Sequence, residues 1–100
     1  MKKLPPIHPG TILKEELMQR RRISQVQLAR DLRVSFKRIN EICQGKRPIT
    51  LDTALRLSVY FGTSPELWLD LQRDYELECL VDQKAIAKIR RAIQPWRERS

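Results

Sequence analysis

The stretch SQVQLARDLRVSFKRINEICQG, residues 24–45, decides the fold. Ser24 stands where a helix N-cap belongs, because a serine hydroxyl there accepts from a backbone N–H one turn on. After it, Val26, Leu28, Ala29 and Leu32 form a short apolar pattern of helical period, which predicts a helix over about residues 24–32. Val34-Ser35 offers a second cap, and from Phe36 the residues Ile39, Ile42 and Cys43 line one face at i, i+3, i+4. Gly45 supplies the positive-φ stop, so a further helix runs over about 36–44. Ala29 must be small where the two helices cross, while Leu28, Val34, Ile39 and Ile42 fill the wedge between them and the neighbouring helices.

Working outward, Pro9 suits an early helical position, and Ile12, Leu13, Glu16, Leu17 and Arg20 fall at helical spacing, predicting a first helix at about 9–21. Lys46-Arg47-Pro48 cannot continue a helix, since the proline ring removes a donor. Thr50 is then read as the cap of a helix over 51–61 that carries Leu51, Ala54, Leu55, Leu57, Ser58 and Phe61 and stops at Gly62. Ser64-Pro65-Glu66 sets a cap, an N1 proline and an acid at the positive end of a helix dipole, opening a long fifth helix to about Val81. That helix carries two apolar stripes, Trp68/Leu71/Tyr75/Cys79 and Leu69/Leu77/Leu80, which is more than a terminal helix on a small domain needs. One stripe is therefore expected to serve a partner, and Trp68, Leu69, Leu71, Tyr75, Leu77 and Leu80 are the candidates for a dimer interface. From Gln83 to Gln94, Ala85, Ile86, Ile89, Ala92 and Ile93 recur at helical spacing among Lys84, Lys88, Arg90 and Arg91, a weaker sixth helix that breaks at Pro95. The expected fold is all-α with five to six helices: one domain over 1–82 and a basic C-terminal tail over 83–100.

One hundred residues with 41% hydrophobic and 32% charged content suffice for one core, extended by dimerisation. Residues 1–50 hold 12 Lys and Arg against 4 Asp and Glu, whereas residues 51–100 hold 8 of each, so the net charge of +8 belongs to the first half. That is the footprint of a phosphate-backbone partner, although ribosomal and membrane-surface proteins share it. No apolar run approaches the roughly 20 residues that span a bilayer, and the basic start leads into Pro5-Pro6 rather than a signal region, so a cytoplasmic protein is expected. Cys43 and Cys79 lack CxxC spacing and a histidine cluster, which argues for small core residues and against a metal site or disulfide. His8 is a single histidine beside proline without a recurring acid or nucleophile pattern; it reads as structural. Neither an enzymatic activity nor a cofactor is expected.

Two short helices joined by three or four residues let the first brace against phosphates while the second lies in the major groove. Phe36, Lys37, Arg38, Asn40, Glu41 and Gln44 project outward from the second, and several are types that read base edges. The caps Ser24 and Ser35, with Gln25, Lys46 and Arg47, flank that helix and would face the backbone. A solvated charged face is the bland alternative; the convergence of these residues on one side of a reader-like pair argues against it.

The series Ser24, Gln25, Leu28, Ala29, Leu32, Val34, Ser35, Ile39, Ile42 and Gly45 resembles the helix-turn-helix of the lambda-repressor-like (Xre) family. The resemblance implies a lambda-repressor-like DNA-binding domain whose base-reading positions are Phe36, Lys37, Asn40 and Glu41. Arg33 departs from it, because the family's turn usually has glycine there and an L-residue at positive φ costs about 1 kcal/mol. A slightly strained or differently shaped turn is expected. Phe36 is unusual at a reading position, where it contacts a thymine methyl group or packs on the preceding helix.

Pro6-Ile7-His8-Pro9-Gly10-x-Ile12-Leu13 and Gly62-Thr63-Ser64-Pro65-Glu66-Leu67-Trp68-Leu69-x-Leu71-Gln72 further resemble the HigA (VapI-like) antitoxins, a likeness over residues 5–80. It implies a homodimer that represses its own operon from a palindromic operator in double-stranded DNA and binds a HigB-like toxin, a ribosome-dependent messenger-RNA endonuclease. Between residues 66 and 82 six acids stand against Arg73 alone, a charge that would attract a basic toxin. The candidate toxin surface joins Glu15, Glu16 and Arg20 to Glu66, Asp70 and Asp74. Two other classes are a solitary phage-repressor-type regulator and a basic RNA-associated protein. Neither explains both flanking motifs, and a chain with 6% aromatic residues offers few stacking platforms for RNA.

Overall fold

The computed structural model describes residues 5–82 and 84–97, and the side chains of these apart from 80–82. It is built of helices, with no strand among the described residues. The first helix, α1, has three continuous segments: an α-turn Pro9–Ile12, a π-helical segment Leu13–Met18 and a 3-10 turn Gln19–Arg21. α2 is Gln25–Leu32, α3 Phe36–Cys43, α4 Leu51–Phe61, α5 Pro65–Asp82 and α6 Ala85–Ala92. The sixth helix is thus shorter than the 83–94 expected, and Gln83 and residues 98–100 of the tail lie outside the described residues.

The π segment has a packing reason. In a regular α-helix Leu13 and Met18, five residues apart, would point about 140° from each other. The wider turn, marked by the bond from the Gln19 N–H to the Lys14 carbonyl, brings both onto the core side, where they are 0% and 3% exposed.

Left-handed residues end the early helices. Arg22 (φ 54°), Arg33 (φ 59°) and Gly45 (φ 75°) each close a helix, and the next amide reaches back five residues: Ile23 to Met18, Val34 to Ala29 and Lys46 to Glu41. The strained turn expected at Arg33 is therefore present. Thr50 holds the N-cap backbone position of α4 but its hydroxyl makes no cap bond, so the capping expected of it is not made; Asp52 supplies the favourable first-turn charge instead.

The core gathers Leu13, Met18, Leu28, Ala29, Leu32, Ile39, Ile42, Ile49, Ala54, Leu57 and Trp68. α1 approaches α3 so closely at Gly10 that a Cβ there would stand 1.8 Å from the Ile42 carbonyl oxygen. The Gln72 side chain, buried on α5, accepts from the Ile49 N–H at 2.9 Å and pins the α3–α4 loop to the core. Trp68 is 0% exposed within the protomer, and its indole N–H donates to Thr63 at 2.9 Å. It serves the core and offers no surface to a second copy, contrary to its expected place in a dimer interface. Of its expected companions Leu69, Leu71 and Tyr75 are half-buried and Leu77 is exposed. The Leu80 side chain lies outside the described residues.

Candidate nucleic-acid interface

Both helices of the central pair begin on a serine whose side chain satisfies an orphan amide. Ser24 Oγ accepts from the Gln27 N–H at 3.0 Å and Ser35 Oγ from the Arg38 N–H at 3.1 Å. Their backbone amides and helix dipoles place partial positive charge at these two N-termini, which suits an approaching phosphate. Leu28, Ala29, Leu32, Ile39 and Ile42 face the core, so the polar face of α3 is turned to solvent by the same periodicity that buries its back.

The expected site residues divide by what holds them. Ser24, Ser35, Lys37, Gln44 and Lys46 are exposed, and Phe36 at the start of α3 is 50% exposed, turned outward rather than buried against α2. Gln25, Arg38, Asn40, Glu41 and Arg47 are half-buried. Asn40 Nδ2 donates to Gln25 Oε1 at 2.9 Å, joining the outer face of α3 to the start of α2. Glu41 accepts from Arg47 at 3.2 Å and lies 4.0 Å from the Lys37 ammonium. An unpaired carboxylate on this face would repel phosphates, and these two cations offset it. Such half-exposed pairs are worth at most about 1 kcal/mol, so Arg47 can exchange Glu41 for a phosphate at little cost.

Arg38 has a partner that local patterns do not reveal. Its guanidinium donates to Asp52 at 2.7 Å, and Arg56 donates to the same oxygen at 3.0 Å. The two guanidinium groups hold the Asp52 carboxyl below its ordinary pKa. Arg56 also donates to the Leu32 carbonyl at 2.8 Å, which satisfies the C-terminal end of α2. Arg38, Asp52 and Arg56 thus connect α3, α4 and α2 through side chains. Asp52 and Arg56 were absent from the expected site; their i, i+4 spacing is the one signal the sequence carries for them.

His8 sits behind the interface as the N-cap of α1. Its Nδ1 accepts from the Gly10 N–H at 2.8 Å, and its ring stands edge-on to Tyr75 with centroids 4.9 Å apart. Burial lowers its pKa, against a hydrogen bond to the Arg47 backbone that pulls the other way. The role is structural, as its sequence context implied. Burial also pushes the Cys43 thiol up, and its sulfur lies 3.9 Å from that of Met18. No group of three or more His, Cys, Asp or Glu suited to a metal ion occurs among the described residues.

Known proteins resemble this arrangement closely. A family model described as helix-turn-helix matches residues 13–68. Virulence-associated protein I of Dichelobacter nodosus is 47% identical over 81 residues, which are 81% of this chain and 75% of that protein. The structure of an addiction module antidote protein of a HigA family from Coxiella burnetii is 44% identical, covers 93% of this chain and 100% of its own, and superposes with a TM-score of 0.80. The Pseudomonas aeruginosa antitoxin HigA, solved with the higBA promoter, is 39% identical, covers 92% and 99% of the two chains, and has a TM-score of 0.81.

Proposed function

This chain belongs to the helix-turn-helix family and, within it, to the HigA-type antidote proteins, and on that footing we propose that it is a sequence-specific DNA-binding repressor and the antitoxin of a toxin-antitoxin pair. The observation that carries the reading is α3, whose back is locked into the core and whose front presents Phe36, Lys37, Asn40, Glu41 and Gln44 beside two serine-capped helix N-termini. Laid in a major groove, α3 reads base edges with Lys37 and Asn40, while Ser24, Ser35, Gln25, Lys46 and Arg47 set its register on the phosphates. A homodimer places two such helices about 34 Å apart on a palindromic operator, and occupancy of the promoter of its own operon represses transcription. The solved Pseudomonas aeruginosa relative, carried on a promoter, supports this placement.

The second partner is a HigB-like toxin, neutralised by binding rather than by any reaction. Its surface joins Glu15, Glu16 and Arg20 of α1 to Glu66, Asp70 and Asp74 of α5. Glu16 pairs with Arg20 at 2.7 Å, and Arg73 lies between Asp70 and Asp74 at 3.1 and 3.2 Å, which leaves an acidic excess on α5. The protein works in the cytoplasm, beside its DNA; no helix among the described residues is long and apolar enough to cross a membrane.

The test is a gel-shift titration on the DNA upstream of its gene and on a scrambled duplex, with co-expression of the neighbouring reading frame. Retention of that gene product by a Lys37→Ala/Asn40→Ala variant that no longer shifts DNA supports two separate faces. A neighbouring frame that encodes no binding partner, with operator binding intact, identifies a solitary regulator instead.

A further inference from the structure

Two unpartnered features of the surface match each other. The first is a groove of about 340 Å³ between the N-terminal segment and α5, lined by Pro5, Ile7, Ile12, Leu71 and Tyr75 and edged by the carboxylates Asp74 and Glu78. The second is α6. Ile86 and Ile89, at i and i+3, form a ridge that is 41% and 48% exposed; Ile93 at the extended C-cap prolongs it at 63%, with Trp96 beyond at 81%. Arg90 borders the ridge, and Lys88 and Arg91 stand on the opposite face of α6.

An eight-residue helix has no independent stability in water, so the ridge needs an apolar surface to lie against. Its own protomer does not supply enough: α6 meets α5 but leaves the ridge open, and Lys84, in the left-handed region at φ 60°, turns α6 away. The radius of gyration is 17.3 Å where about 13 Å is usual for a compact chain of this length, and the longest dimension is 59 Å. The groove is apolar with a negative edge; the ridge is apolar with a positive border.

We propose that α6 of a second copy docks in this groove, its isoleucine ridge on Ile7, Ile12, Leu71 and Tyr75 and its Arg90 toward Glu78. The exchange is reciprocal about a two-fold axis, so each contact is made twice and neither helix remains exposed. The inference rests on the homodimer of the preceding reading and assigns it a surface distinct from the exposed end of α5 around Leu77.

Sedimentation equilibrium on full-length chains tests it, with circular dichroism as the check on folding. An acid-reversed variant, Glu78→Lys, and a base-reversed variant, Arg90→Glu, should each raise the dimer dissociation constant at least tenfold, since the contact is made twice. Mixed in equal amounts they should recover a heterodimer, because both groove–helix pairs are then matched, one in the native sense and one reversed. Copies carrying Ile12→Cys and Ile89→Cys separately, in a background with Cys43 and Cys79 replaced by Ala, should form an inter-chain disulfide on oxidation. A wild-type dimer indifferent to both reversals overturns the groove while leaving the homodimer standing. A wild-type monomer at micromolar concentration overturns both. A cross-link formed within a single chain carrying both cysteines, in place of the inter-chain one, assigns the groove to the chain's own α6 and likewise overturns the proposal.

Discussion

The side-chain amide of Asn40 on α3 is held at 2.9 Å by the side-chain oxygen of Gln25, the first residue of α2. A flexible amide on the proposed reading face is thereby held in one orientation. Replacing Asn40 by Ala should relax discrimination at one base pair by about 1–3 kcal/mol. Gln25→Ala should lose part of the same discrimination, and the double variant should lose less than the sum of the two, with a coupling of at least about 0.5 kcal/mol. Anisotropy titrations on operator and single-substituted duplexes measure all three; strict additivity would show that the bond does not position Asn40.

Lys46, exposed in the loop after α3, should behave differently. Lys46→Ala is expected to weaken all sequences alike and to reduce the salt slope of binding by about one unit. Titrations at several salt concentrations on operator and scrambled DNA separate the two behaviours.

Arg33 adopts φ 59° at the end of α2, where glycine pays no steric cost. Arg33→Gly should therefore stabilise the fold by about 1 kcal/mol, a rise in melting temperature of roughly 4–8 °C for a chain of this size. A lower melting temperature would mean that the Arg33 side chain contributes more than its backbone costs.

Gly10→Ala should do the opposite. A methyl group placed 1.8 Å from the Ile42 carbonyl oxygen meets fixed backbone, with His8 Nδ1 3.0 Å away, and has no rotamer in which to escape. Separation of α1 from α3 is expected to cost at least about 3 kcal/mol, and denaturant unfolding of the variant should display it as an earlier midpoint with an unchanged slope.

His8 predicts a pH dependence. Its folded pKa lies below the ordinary 6.5 because burial disfavours the cation, so the unfolded chain binds the proton more readily. Its contribution to stability is present above pH 6.5 and falls away as the pH drops through that value toward the lowered one. Protonation also blocks Nδ1 from accepting the Gly10 N–H. His8→Asn keeps a cap acceptor without the titration, and its melting temperature should change less than the wild type's between pH 7.5 and pH 5. Parallel curves for the two proteins would exclude His8 as the source.

The reading pair is legible in the sequence because its signals are local. Ser24 and Ser35 cap, Leu28 to Ile42 keep period, and Gly45 stops, all within one or two turns of the bonds they make. What escapes is set by distance along the chain. Asn40 and Gln25 are 15 residues apart and Arg38 and Asp52 are 14, and nothing in either neighbourhood names the partner. The π segment of α1 is hidden for another reason: an apolar pattern gives the faces of a helix but not a local change of pitch. Trp68 shows the limit of stripes, since an apolar face on α5 does not reveal whether its cover comes from the same chain or another.

The side-chain connection through Arg38, Asp52 and Arg56 bears on how such a protein can change its target. It grips α3 from the α4 side and α2 at its Leu32 carbonyl, and it involves neither Lys37 nor Phe36. On the proposed reading, Arg38 alone is shared between this connection and the recognition face. Exposed positions on α3 can be replaced without a penalty to folding, so new operator preferences lie within reach of one or two substitutions, whereas altering Asp52 would disturb the reading of every sequence at once.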